Sequence, residues 1–236
     1  MFFAFLKFAL LAIISFKQGY TLHTKSHRNA EEKITFALIP KLTTNPFFTV
    51  AQEGCIDKAK ELGVECYYVG PDFEDPEAQN AIVRELVKNG TVDGIAISVS
   101  NADIVSKSIN EAIDAGIPVI TFDSDAPNSK RISYIGTDNQ AFGDQLAKVL
   151  MLLDPEGGKY GKYGFVSGAG PNLAQRVEGF NLQMNSIDAF KSDWTEVKPG
   201  SPTDCQDNID IALGQCYDFA DNPDVRAIVP VGKSDQ

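Results

Sequence analysis

Histidine is almost absent from this sequence. The 236 residues contain two histidines, His23 and His27, and both precede residue 30. A globular region without histidine has no Ser-His-Asp or Cys-His arrangement for nucleophilic catalysis. The segments Gly168-Ala169-Gly170 and Gly232-Lys233-Ser234 each match only part of a phosphate-binding motif. The sequence therefore argues against an enzyme, and an acid–base pair of carboxylates is the one catalytic arrangement that it leaves open.

Positive charge and metal-binding patterns are also scarce. Lysine and arginine number 21 against 32 acidic residues, which gives a formal net charge of −11. An acidic surface repels phosphate backbones, so we expect no nucleic-acid partner. No C-x-x-C or similar metal spacing occurs, and Asp123-Ser124-Asp125 begins like a calcium loop but lacks its glycine at the sixth place. We therefore expect neither a metal nor another cofactor.

Long hydrophobic runs are confined to the N-terminus. Residues 1–16 are apolar except for Lys7 and Ser15, and a polar, partly basic stretch follows. This run is short for a membrane span, which needs about 20 residues, and it fits the core of a signal peptide better. We interpret residues 1–30 as a leader of a periplasmic or secreted protein, removed between residues 16 and 30. An uncleaved membrane anchor and a buried core helix stay as alternatives, because no clear A-x-A cleavage site follows.

The sequence contains four cysteines, and they can form disulfides if the protein is exported. Cys55 lies in a predicted helix and Cys66 in the next predicted strand, and we expect both as buried thiols. The pair Cys205 and Cys216 is the bridge that we favour.

Strands and helices alternate after the leader. Strands are predicted at 33–39, 64–69, 93–99, 117–122 and 132–135, with helices at 46–62, 75–89 and 102–115. Each β-α unit spans roughly 30 residues, the size of a β-α-β crossover. The strands are nearly continuous apolar runs, which is typical of a parallel sheet covered on both faces. We predict an α/β fold whose N-terminal lobe, residues 31–137, is a doubly wound parallel sheet.

The alternation of helices and strands begins again in residues 138–236. Helices are predicted at 140–153, 173–184 and 207–220, strands at 162–166, 194–197 and 225–231, and a loop at 154–161. We interpret this region as a partial C-terminal α/β lobe, because a lobe comparable to the first would need roughly 90 further residues. The expectation is therefore a chain that is incomplete, with weak binding as it stands.

Candidate binding residues follow the predicted strands, because ligands of open α/β sheets bind beyond the carboxyl ends of the strands. These residues are Asn45, Phe47, Phe48, Ser98, Asp123 and, on the predicted helix 173–184 of the second lobe, Arg176. Asparagine both donates and accepts, a carboxylate accepts from neighbouring hydroxyls, and a guanidinium donates to several oxygens. Phenylalanine rings can cover the apolar face of a sugar. Together these side chains suit a polyhydroxylated ligand, although any one of them has an ordinary structural explanation.

Several segments resemble one known family. ITFALIPKLTTNPFF, DGIAISV, AGIPVITFDSDAP, ISYIGTDN and AQRVEGF occur in this order. They are similar to type I periplasmic binding proteins for sugars, the ribose-binding group in particular. The resemblance implies two lobes joined by a hinge that close on a monosaccharide. It also implies that Asn45, Phe47, Phe48, Asp123 and Arg176 line the site, and that Ser98 stands where a site asparagine often lies.

Two departures from this family bear on the ligand. Ribose binders carry an arginine after the aspartate, where this chain has Ser124, and an asparagine near the position of Gly232. The resemblance thus implies an exported solute-binding protein for a sugar or polyol, a monomer when full length, that serves an ABC-type transporter. The alternative is the ligand-sensing ectodomain of a membrane receptor.

Overall fold

The computed structural model describes residues 33–153, 157–163, 170–186, 194–198, 201–203, 205 and 209–232. The chain divides into two compact units, and the division falls between Gly136 and Thr137. This position is one residue before the division expected from the sequence. The leader lies outside the described residues.

The first unit alternates strands and helices as predicted. Its strands are β1 (Thr35–Ile39), β2 (Glu65–Tyr68), β3 (Gly94–Ile97), β4 (Val119–Phe122) and β5 (Ser133–Ile135). Its helices are α1 (Pro46–Leu62), α2 (Pro76–Asn89) and α3 (Ala102–Asp114). The strands are hydrogen-bonded in the order β2-β1-β3-β4-β5, and every pair is parallel. The predicted doubly wound parallel sheet is therefore confirmed.

Helix starts in this unit are fixed by side-chain caps. The carboxylate of Asp75 accepts from the amides of Glu77 and Ala78, both at 3.0 Å, and Asn101 caps α3 in the same way. Asn45 caps α1. A side-chain oxygen here satisfies an amide that has no partner within the helix. These caps place each helix start close to the end of the strand that precedes it.

The sheet of the first unit is buried on both faces. Ala37, Ile39, Ile95, Ile97 and Val119 face a cluster that includes residues of α2 and α3. The alternate residues, among them Phe36, Leu38, Ala96 and Phe122, pack with α1 on the other face. Because side chains alternate along a strand, a sheet that is covered twice needs continuous apolar strands.

A disulfide joins Cys55 on α1 to Cys66 on β2, so the expectation that both are buried thiols is wrong. The predicted Cys205–Cys216 bridge is also wrong. The Cα atoms of Cys55 and Cys66 are 6.0 Å apart, which is within the range for a bridge. Cys205 and Cys216 are both thiols. The face of α1 that carries Cys55 packs on the sheet, and the turn at Gly63 returns the chain as β2 beside the same helix. This return brings the two cysteines together.

The second unit contains a smaller parallel sheet in its described residues. Its elements are α4 (Asn139–Leu153), β6 (Gly158–Tyr163), α5 (Gly170–Ser186), β7 (Trp194–Glu196), α6 (Ile209–Ala220) and β8 (Val225–Pro230). The strand order is β7-β6-β8, with parallel pairing throughout. Tyr160, Phe180 and Trp194 lie in its core with side chains of α4.

The position of β6 corrects the sequence prediction. The strand begins at Gly158, inside the segment that we expected as a loop, and it ends at Tyr163; residues 164–166 lie outside the described part of the chain. Tyr160 is buried, with its ring centroid 5.4 Å from that of Phe180. A Cβ atom at Gly161 would stand 2.6 Å from the ring of Phe219. The glycine that suggested a loop is thus required by close packing within a strand.

Candidate functional site

Three neighbouring strands of the first sheet, β1, β3 and β4, end at one edge, and polar residues follow each of them. Ser98 comes directly after β3 and Asp123 directly after β4. The hydroxyl of Ser98 donates a hydrogen bond of 2.7 Å to Oδ2 of Asp123. The structure therefore brings together two residues that the sequence predicted as separate contributors to one site.

Asp123 has an unusual backbone conformation. Its φ is 62°, and among the described residues it is the one non-glycine residue with a positive φ. The Tyr134 hydroxyl donates to its carbonyl oxygen at 2.9 Å, and its amide donates to the Ile135 carbonyl at 3.1 Å. A left-handed conformation costs of order 1–3 kcal/mol and persists only where the surroundings fix it, which is a feature of ligand sites. The surrounding hydrogen bonds hold the carboxylate of Asp123 at the sheet edge.

The second aspartate of this turn, Asp125, has a structural role. It accepts hydrogen bonds from the Thr121 hydroxyl at 2.6 Å, from the Ala126 amide at 2.8 Å, and from both Nε and Nη2 of Arg131. The hydrogen bonding to Asp125 raises the pKa of Arg131 above its ordinary value. Asp125 thus holds the turn, and Asp123 is the aspartate of this turn that the sequence predicted as a ligand contact.

The loop after β1 places its three candidate residues differently. Asn45 Oδ1 accepts from the Phe47 amide at 2.9 Å and caps α1. Phe48 is buried in the core, where its ring meets that of Phe122 edge-on at 6.3 Å. Phe47 is half-buried, with its ring 5.1 Å from that of Phe48. Within this loop, Phe47 is the ring with surface left to offer a ligand.

Gln79 is a residue of this edge that sequence reasoning missed. It lies on α2, is fully buried, and its Nε2 donates to the carbonyl oxygens of Pro40 and Ser98, both at 2.8 Å. Its Oε1 accepts from the amide of Ser100 at 3.0 Å and from the Ser100 hydroxyl at 2.8 Å. Its position in the helix could have indicated this role. Gln79 lies four residues before Val83 and seven before Leu86, on the buried face of α2, where an apolar residue is expected.

Arg176 lies in the second unit, on α5. Its Nε donates to Oδ1 of Asn139 at 2.9 Å and its Nη1 to the Val231 carbonyl at 3.1 Å. Its guanidinium carbon is 4.6 Å from the centroid of the Phe142 ring. Asn172, one turn earlier, is buried, and its Oδ1 has no hydrogen-bond partner among the described residues. These contacts fix the orientation of a guanidinium that the sequence predicted as a ligand contact.

The described part of the chain contains no cluster of side chains that could bind a metal ion. No group of three or more histidine, cysteine, aspartate or glutamate side chains is arranged there to hold an ion. The edge of the first sheet instead offers a carboxylate, hydroxyls and one aromatic ring. This set of groups can recognise a polar ligand through hydrogen bonds and ring contact.

Comparison with known proteins gives one family. A sequence model described as the periplasmic binding protein domain matches residues 36–234. Ribose import binding protein RbsB of Escherichia coli (strain K12) is 27% identical over 175 residues, which are 72% of this chain and 58% of that protein. Xylose/arabinose-binding protein XylF of Sulfolobus acidocaldarius is 27% identical over 157 residues, 62% of this chain and 38% of that protein. The chain thus spans little more than half the length of the first of these relatives.

Solved structures give the same fold. An ABC transporter solute binding protein from Burkholderia graminis, in complex with D-arabinose, superimposes with a TM-score of 0.77 at 27% identity. The match covers 88% of this chain and 68% of that one. A structure described as the XylFII molecule matches with a TM-score of 0.75 at 26% identity, over 86% of this chain and 72% of its own.

Proposed function

Because the chain belongs to the periplasmic binding protein domain family, we propose that it is an exported solute-binding protein that captures a sugar-like ligand without transforming it. The observation that carries this proposal is the pair of Ser98 and the left-handed Asp123 at the edge where β1, β3 and β4 end. The proteins in the comparison are named as binding proteins, which supports binding rather than catalysis.

The chemistry of the edge suits adjacent hydroxyl groups. A carboxylate has about four acceptor positions, enough for Ser98 and for two neighbouring hydroxyls of a sugar or polyol. The half-buried ring of Phe47 can cover the apolar C–H face of a pyranose or furanose. Arg176, with its five N–H donors, is the candidate ligand contact within the second unit. In this proposal Asn45 and Phe48 support the site through the cap of α1 and the core.

The ligand class follows from the same residues and from the relatives. Proteins named for ribose, xylose or arabinose, and allose are all similar to this chain. Ser124 stands where the ribose-binding group carries arginine, and it is fully buried. A serine there lacks the guanidinium donors of arginine, which favours a sugar or polyol other than ribose. An ABC-type transporter is the partner that this role implies, and the relatives reported above give the receptor ectodomain no support.

Export agrees with the disulfide. A bond between Cys55 and Cys66 forms and persists in an oxidising compartment, which supports a periplasmic or secreted location. Within the described residues, no helix is both long enough and apolar enough to cross a membrane. We propose that residues 1–30 direct the chain out of the cytoplasm.

A thermal-shift screen tests the proposed function. The full-length gene product is heated with D-arabinose, D-xylose, D-allose, D-ribose and myo-inositol, and with glycine and glutamate as non-carbohydrate controls. A ligand at one hundred times its Kd adds about 2.7 kcal/mol of stability, which raises Tm by several degrees. We expect such a shift from at least one sugar or polyol, and recovery of that ligand chemically unchanged. Equal Tm values with every compound, or turnover of the ligand, would contradict the proposal.

A further inference from the structure

Gln79 is a fully buried polar side chain whose hydrogen-bonding groups are all engaged by loops. Its amide nitrogen donates to the carbonyl of Pro40, after β1, and to that of Ser98, after β3. Its amide oxygen accepts twice from Ser100. These four hydrogen bonds use both donors and both lone pairs of one amide group. The side chain therefore fixes the ends of two neighbouring strands relative to each other.

A continuous path of contacts leads from this amide to the candidate ligand carboxylate. Gln79 holds the backbone of Ser98, and the Ser98 hydroxyl donates to Oδ2 of Asp123 at 2.7 Å. On the far side of β4, the Tyr134 hydroxyl and the Ile135 carbonyl hold the backbone of Asp123. The carboxylate is thus positioned from β3 through its side chain and from β5 through its main chain.

We propose that Gln79 is a positioning residue of the sugar-binding edge, which sets the geometry of Asp123 through Ser98 and raises ligand affinity without touching the ligand. This inference rests on the proposed function. Glutamine fits the position because one amide supplies two donors and an acceptor side by side. A glutamate would turn a carboxylate toward two carbonyl oxygens, and methionine would supply no donor and only a weak acceptor.

The first test needs no ligand. Gln79→Met is compared with Val83→Ala, a change at a fully buried core residue one turn later on the same helix. Backbone amide chemical shifts are assigned by NMR in both variants and in the wild-type chain. We expect Gln79→Met to shift the amides of Ser98, Ser100 and Asp123, across the ends of β3 and β4, whereas Val83→Ala leaves these three amides in place. Changes confined to α2, or equal changes in both variants, overturn the proposal.

The second test measures affinity for D-arabinose, or for whichever compound of the panel gives the largest thermal shift, at a temperature where every variant is folded. We expect Gln79→Met to weaken binding about tenfold or more, with less than a twofold change in Val83→Ala. Equal affinities in these two variants contradict the inference while the proposed function stands. If the full-length wild-type protein binds no sugar, the proposed function fails and the amide shifts alone decide whether Gln79 positions Asp123.

Gln79→Glu tests whether hydrogen bonding, rather than side-chain volume, accounts for the role of Gln79. A protonated carboxyl group has one O–H donor and retains an acceptor, so it can restore part of the pattern, whereas the carboxylate cannot donate. Burial between two carbonyl oxygens favours the protonated form. We expect the shifts of Ser98 and Asp123, and the affinity, to return toward wild type as the pH falls, relative to the wild-type pH profile. Amide shifts and an affinity that stay away from the wild-type values at every pH contradict the proposal. This variant also carries the comparison if Gln79→Met does not fold.

Discussion

Lys162 is a fully buried amino group on β6, in the second unit. Its Nζ lies 3.0 Å from Oε1 of Glu196 and 2.8 Å from Oδ1 of Asn181, and 5.2 Å from the centroid of the Phe180 ring. Burial lowers the pKa of the Lys162 ammonium below its ordinary value, although the hydrogen bond to Glu196 opposes this shift. The folded unit therefore holds this proton less tightly than the unfolded chain does.

The sign of this pKa shift predicts a pH effect on stability. Between the lowered pKa and the ordinary value near 10.5, the unfolded chain binds more protons, so stability rises with pH. We expect the unfolding free energy of the wild type, relative to that of Lys162→Met, to increase as the pH rises from neutrality toward about 10. Urea unfolding of both proteins across this range measures it. A difference that is constant or falls with pH would contradict the assignment.

At the residue scale, the sequence indicates the position of a residue that directly follows a strand. Ser98 and Asp123 were predicted in this way, and they form one hydrogen-bonded pair. Gln79 was missed because its amide nitrogen donates to main-chain carbonyl oxygens 39 and 19 residues away in sequence, and no residue type at those positions reveals these bonds. The positive φ of Asp123 was also hidden, since it follows from bonds to β5 rather than from a glycine.

At the scale of elements, α1 and β2 form one covalently linked segment. Cys55 is buried against the sheet, and the disulfide fixes α1 to β2 at the edge of the sheet. The same helix begins at Pro46 beside the capping Asn45 and carries Phe47. The disulfide therefore stabilises the helix whose first turn contributes an aromatic ring to the proposed site.

Removal of this disulfide is expected to destabilise the first unit. A bridge across a short loop contributes roughly 2–4 kcal/mol, mainly by restricting the unfolded chain. We expect Cys55→Ser combined with Cys66→Ser to lower the urea midpoint accordingly, with little change in Cys216→Ser, because Cys216 is a thiol. Reduction should lower the midpoint of the wild type and leave the double variant unchanged. Equal midpoints for the wild type and the double variant would mean that the bridge does not stabilise the fold.

Elements were predictable where local signals set their ends. Asp75 and Asn101 cap helices, and Gly63 and Gly90 end them, so α1, α2 and α3 were found almost to the residue. β6 was misplaced because Gly158 and Gly161 indicated a loop, whereas pairing with β7 and β8 and the approach of Phe219 determine the strand. The disulfide was missed for the same reason, since the return of β2 beside α1 is a tertiary contact.

At the scale of the whole molecule, the two units share one plan. Each has a parallel sheet in its described residues, and in each unit candidate ligand groups are held by hydrogen bonds from neighbouring elements. The fold class was readable from the sequence because alternation of strands and helices at a regular spacing leaves few topologies. The identity of the sugar was not readable, because it depends on distances of a few tenths of an ångström among groups of common types.

The measurement that tests the account most directly is a calorimetric titration of the full-length wild-type protein and of its Asp123→Asn variant with the best sugar of the panel. Asparagine tolerates the left-handed conformation, so this change removes the charge and keeps the shape. Each charge-assisted hydrogen bond contributes roughly 1.5–3 kcal/mol, and we therefore expect at least about tenfold weaker binding. Asp114→Asn, at an exposed aspartate paired with Lys130, is the control and should bind as the wild type does. Equal affinity in Asp123→Asn and the wild type would show that the sugar is not captured at this edge.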